Sequence, residues 1–194
     1  MNDRKILPLL LALGLLVLAL SGCIFSPDPD PDPTPIDPPD YETALTPELM
    51  MANFKTAYEE KDINGYRDEV LDDRFLFFFL EDEDQAFWDK TEDLASMTNL
   101  FSGEARTNSQ GQLTRAISQI TMDQLTLLEP FTASDNLYFQ GIDGVLMGLY
   151  KITIVLTHPA GTITVDSNQR FYAAPQVENG VTIYKLIGQE DMPS

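Results

Sequence analysis

Few residues of this 194-residue chain are equipped for chemistry, and they stand far apart. There is one cysteine, Cys23, and one histidine, His158. A single thiol excludes an internal disulfide and a thiolate metal site, since each needs several cysteines. His158 precedes Pro159 in an expected hairpin turn, where a histidine is solvated rather than catalytic. A serine nucleophile would therefore lack its base, and no glycine-rich phosphate loop is present. The run Glu81-Asp82-Glu83-Asp84 has oxygens for a cation, but lacks the glycine that the turn of a calcium loop needs. It reads instead as acid at a helix N-terminus, where the dipole favours it. What remains is carboxylate and phenol chemistry: Tyr58 or Tyr66 paired with Asp73, if burial lifts the carboxyl toward working pH. Asp62 and Asp73 are more simply a helix cap and a turn residue. No residue is assigned a catalytic role, and no metal or cofactor is implied.

The cysteine gains meaning from what precedes it. Arg4 and Lys5 put positive charge first, and residues 6–20 are almost wholly apolar. Charge, a short apolar core, then small residues is the order of a signal peptide, here residues 1–22. The core is shorter than the roughly 20 apolar residues of a membrane span. Its end, Leu20-Ser21-Gly22-Cys23, resembles the lipobox of bacterial lipoproteins. The resemblance implies cleavage before Cys23, diacylglycerol on its sulfur and a further acyl chain such as palmitate on the new amino group. Two or more chains anchor a protein stably. Ile24 stands where an aspartate would retain such a protein at the inner membrane, so the outer membrane is expected if the source is Gram-negative.

Proline and aspartate dominate residues 26–40. Proline removes donors and fixes φ, while repeated aspartates repel, so residues 23–40 read as a disordered, extended stalk. Beyond residue 22 the chain carries 10 basic and 30 acidic residues. That field repels nucleic acid, whose binding rests on phosphate contacts.

Residues 41–194 have the length of one domain. Thr46-Pro47-Glu48 starts a helix to about Glu60 with Met50, Phe54, Ala57 and Tyr58 on one face. Asp62 caps a second, with Ile63, Tyr66 and Val70 inward. Residues 74–80 are an aromatic strand, followed by a third helix over residues 85–101, closed by Ser102-Gly103. Strands follow: residues 113–128, bulged where the apolar parity changes after Met122; residues 145–157; residues 162–173; and residues 181–188 after the turn Glu178-Asn179-Gly180. Asp135-Asn-Leu-Tyr-Phe-Gln-Gly141 differs from a protease-cleavage tag at one residue, but its place in mid-domain makes it native, with Leu137, Tyr138 and Phe139 entering a strand.

This order, with Ala57-Tyr58-x-x-Lys61-Asp62-Ile63-x-x-Tyr66 and Leu71-Asp72-Asp73-x-Phe75, resembles the nuclear transport factor 2-like superfamily. That superfamily includes the SnoaL-like and ketosteroid isomerase-like proteins. The marker also resembles uncharacterised envelope lipoproteins. The resemblance implies an α+β cone, with N-terminal helices packed in a curved antiparallel sheet. An α+β roll of another type is the alternative. A cone leaves a pocket that Tyr58, Tyr66, Phe75, Phe77, Phe79 and Trp88 would line, unless those aromatics fill it. Three functions stay open: a lipid-anchored module binding a small apolar ligand or an envelope protein; an isomerase-like enzyme using a buried carboxylate and a tyrosine; and a homodimer formed through the sheet face that carries Ile152 and Ile154.

Overall fold

The computed structural model describes residues 39–79, 87–107 and 113–192. Cys23, residues 26–38 of the Pro-Asp stretch and the acidic run at residues 81–84 lie outside them. Helix α1 (Pro47–Glu59) begins where the sequence places it, with Thr46 Oγ1 accepting the Leu49 N–H at 3.3 Å. Lys61, at φ 53°, breaks it in the left-handed region. Asp62 then caps the short helix α2 (Ile63–Gly65), accepting from Asn64 N at 3.0 Å. That helix runs straight into a π-helical turn, Tyr66–Val70.

Strand β1 (Leu71–Phe78) pairs with β2 (Phe87–Asp89), and helix α3 (Lys90–Phe101) follows. A small hairpin, β3 (Arg106–Thr107) and β4 (Leu113–Thr114), precedes four long strands. These are β5 (Gln119–Ala133), β6 (Leu146–His158), β7 (Gly161–Glu178) and β8 (Val181–Met192). The main sheet has six strands in the order β2-β1-β8-β7-β6-β5. It is mixed, not antiparallel as expected, because β1 lies parallel to β8. Parallel neighbours need a long crossover, and everything between β1 and β8 supplies it. The expected bulge in β5 falls between Met122 and Gln124.

Two other expectations are corrected. The third helix starts at Lys90, not near Gln85, because Asp89 and Glu92 form a capping box. Phe87 and Trp88 therefore sit on a strand. Leu137–Phe139 is a 3-10 turn rather than a strand entry, since the Asn136 side chain accepts the Tyr138 N–H at 2.9 Å.

The main core joins Met50, Phe54 and Tyr58 of α1 to Ile120, Tyr150, Ile152 and Phe171 of the sheet. Ile152 is 2% exposed and Ile154 packs on the same core. The other face of these strands carries Thr153, hydrogen-bonded to Asp166 at 3.2 Å, and Lys151, paired with Asp166. The apolar residues on which a sheet-face dimer was to rest thus point into the protein. A second, smaller cluster joins Phe78, Phe139, Tyr172 and Ile187. There Gly188 is required, because a Cβ would come within 2.5 Å of Phe139 Cζ.

Candidate functional site

The main core is closely filled by aromatics. Phe54 meets Tyr58 at 4.5 Å between ring centroids and Phe171 at 5.4 Å, and Tyr58 meets Tyr66 at 5.6 Å and Phe101 at 5.4 Å. Tilted and edge-on contacts at these distances are favourable and leave little space between the rings. Of the six expected pocket residues, Tyr58, Tyr66 and Phe75 belong to this core. Phe77 only leans on it. With Phe79 and Trp88 it forms a separate, half-buried group whose centroids lie 4.7–6.2 Å apart. The structure therefore divides the set in two. Cys23 lies outside the described residues.

One end of the core is polar. Asp93, in the first turn of α3, is 5% exposed. Loss of water pushes its carboxyl up from 3.8 to about 6, although the nearby Tyr66 hydroxyl pulls it back down. Burial also holds both phenols protonated: Tyr66 is raised well above 10.0, first by desolvation, and Tyr58 likewise. Tyr58 Oη donates to Met97 Sδ at 3.5 Å. Tyr66 Oη and Asp93 Oδ2 influence each other but meet no well-formed hydrogen-bond partner among the described residues, and neither does Ser167 Oγ.

Across from them the sheet contributes amides and a second acid. Gln169 Nε2 donates to Asp191 Oδ1 at 2.7 Å, and Gln189 Nε2 donates to Gln169 Oε1 at 2.7 Å. Gln169 lies opposite Tyr150 in the register, so it shares the inward face with Phe171. Burial raises the Asp191 carboxyl, opposed by the Gln169 hydrogen bond, and its charge is felt at Tyr58. Buried Asp93 and half-buried Asp191 thus both resist ionisation, and the two phenols stay protonated. Such a group can donate or accept hydrogen bonds to an uncharged molecule and, at Asp93, exchange a proton near neutral pH. Among the described residues no cluster of three or more His, Cys, Asp or Glu side chains is arranged for a metal.

The sequence did not single out Asp93, Gln169, Gln189 or Asp191. It named Asp73, whose side chain is 98% exposed and paired with Lys90 at 2.9 Å, so the Tyr–Asp73 pair is not assembled. Asp62 is the cap expected, and also accepts from Tyr41 Oη at 3.0 Å. His158 is corrected: it is 4% exposed, not solvated.

No family model and no curated protein matches the sequence. Solved structures do match. A Kribbella flavida protein aligns at TM-score 0.52 and 9% identity, over 75% of this chain and 86% of its own. The beta subunit of benzoate 1,2-dioxygenase from Burkholderia mallei aligns at 0.50 and 7%, over 74% and 85%. An NTF2-like protein of unknown function from Rhodospirillum rubrum aligns at 0.45 and 12%, over 76% and 97%. At these identities the likeness is one of fold alone, and it is of the α+β class that the sequence suggested.

Proposed function

We propose that the chain is a lipid-anchored envelope protein whose nuclear transport factor 2-like domain binds a small, uncharged organic molecule at Asp93 and Tyr66 without turning it over. Cys23 would carry the lipid, in the outer membrane of a Gram-negative source, and residues 26–40 would hold the domain off the bilayer. The observation that carries the ligand reading is that Tyr66 Oη and Asp93 Oδ2, inside an otherwise apolar core, have at most each other and the Tyr58 hydroxyl for partners among the described residues. A buried polar atom without a partner costs about 1–3 kcal/mol. A chain keeps such atoms where something other than its own side chains satisfies them. Screening small cyclic ketones, alcohols and amides by thermal shift tests this. Tyr66→Phe should leave the unliganded domain as stable or more so, yet weaken the best binder about tenfold. Equal binding by Tyr66→Phe and by Asp93→Leu would remove the site.

A second reading has its own support. Asp93 titrates to about 6, which suits a general acid or base. An isomerase-like activity would exchange hydrogens next to a carbonyl group with solvent. NMR of the same ketones in deuterium oxide would reveal it, and exchange unaffected by Asp93→Asn would rule Asp93 out as the base.

A further inference from the structure

The far half of α3 borders a groove that the interior cluster does not reach. Leu100 lies seven residues beyond Asp93, about 10 Å further along the helix. The groove has a volume of about 720 Å³, and Leu100, Ile117, Leu156 and Ile163 form its apolar wall. Its charged residues are Glu104, Arg106 and Arg115. Glu104 pairs with Arg106 at 3.5 Å, and Arg106 also donates to Asn99 Oδ1 at 2.6 Å. Arg115 differs: among the described residues it forms no ion pair.

What Arg115 faces is the buried His158. Its Nη1 lies 2.8 Å from His158 Nε2, while Nδ1 of the same ring lies 3.1 Å from the Ala160 N–H. A neutral imidazole has one lone-pair nitrogen. If Nδ1 accepts from Ala160, then Nε2 carries a proton and points it at a guanidinium N–H. In the other tautomer Nδ1–H opposes the Ala160 N–H instead. An imidazolium opposes both. In every protonation state a donor meets a donor, and an acceptor oxygen seated beside Arg115 and Nε2 removes the conflict. A carboxylate does so best, since charge-assisted bonds to guanidinium are short and strong.

We infer that this groove binds an anionic amphiphile, a long-chain carboxylate, with its head on Arg115, which the buried His158 backs, and its chain along Leu100, Ile117, Leu156 and Ile163. The charge complementarity is local, a guanidinium with no carboxylate partner among the described residues, on a chain of net charge −19. The inference is independent of the interior site.

Calorimetric titration tests it on the full chain kept unacylated by Cys23→Ala, with decanoate, decyltrimethylammonium and acetate as probes. Decanoate should bind saturably, and the other two should bind at least tenfold more weakly. Arg115→Gln should weaken decanoate at least tenfold. So should Ile163→Glu, at a position 42% exposed and thus safe for folding. Asp93→Asn should leave decanoate binding unchanged. Absence of saturable decanoate binding, equal binding of the cationic probe, or full affinity in a folded Arg115→Gln variant would each overturn the inference. Loss of decanoate binding in Asp93→Asn alone would move the ligand to the interior and overturn it as well.

Discussion

Replacing Asp93 by asparagine removes the interior's titration while keeping its shape and an acceptor oxygen. The carboxyl titrates at 3.8 when free of the fold and at about 6 within it. Between those values the native state holds a proton that the unfolded chain has lost. Raising pH through that window therefore destabilises the wild type, and the stabilisation present below pH 4 is gone above about pH 7. A shift of about two units is worth roughly 3 kcal/mol at about 1.4 kcal/mol each. For a domain of this size that is roughly 6–12 °C in melting temperature. Many other acids titrate as well, so the informative quantity is the difference between variant and wild type, in which they cancel. Urea unfolding at pH 4, 5, 6, 7 and 8 should give nearly equal stabilities at pH 4, then a growing advantage for Asp93→Asn, level above pH 7. A difference that does not change with pH, or a wild type more stable than the variant at pH 8, would refute the claim that burial holds this carboxyl neutral.

Three further outcomes are expected. Cys23→Ala should release the protein from membranes on fractionation, and retention would count against the lipid anchor. Ile152→Asp places a charge in the main core and should unfold the domain by circular dichroism rather than split a dimer; a folded Ile152→Asp would contradict the 2% exposure of that side chain. Gly188→Ala overpacks the smaller cluster at about 1–3 kcal/mol by driving a Cβ into Phe139, and should make residues 135–141 cleavable by the tag-specific protease. The wild type should resist that protease, because Phe139 is buried in the 3-10 turn although Tyr138 is 56% exposed; rapid cutting of the native chain would show the turn to be unanchored.

The elements were legible where local chemistry decides them. Thr46 and Asp62 cap as read, Asn179 and Gly180 take the positive φ of the last hairpin turn, and the parity change after Met122 is a bulge. The start of α3 was legible too, in the Asp89-x-x-Glu92 spacing, but an apolar heptad through Phe87, Leu94 and Phe101 drew attention away from it. That same misplacement hid Asp93. The buried face of α3 is Asp93, Met97 and Phe101, a run at i, i+4 and i+8 that begins with an acid. The parallel placement of β1 beside β8 had no local signal, since it joins residues over a hundred positions apart. The burial of His158 was equally invisible, because its neighbours come from afar in the chain, Arg115 43 positions away among them.

These placements also answer whether the interior is open or filled. Rings packed at 4.5–6.2 Å close the part between α1 and Phe171. No ligand enters there without parting edge-on aromatic contacts worth about 0.5–1.5 kcal/mol each. Tyr66 belongs to that ring cluster, and its Oη, with Asp93 of α3, is the polar part of it. On the proposed reading, a small molecule in the interior would meet Asp93 and Tyr66, and its affinity would come from hydrogen bonds more than from apolar area. Substitution at Phe54 or Phe171 should accordingly change stability, and substitution at Tyr66 or Asp93 should change binding. A ligand whose affinity followed Phe54→Leu but not Tyr66→Phe would place it among the rings and reverse that assignment.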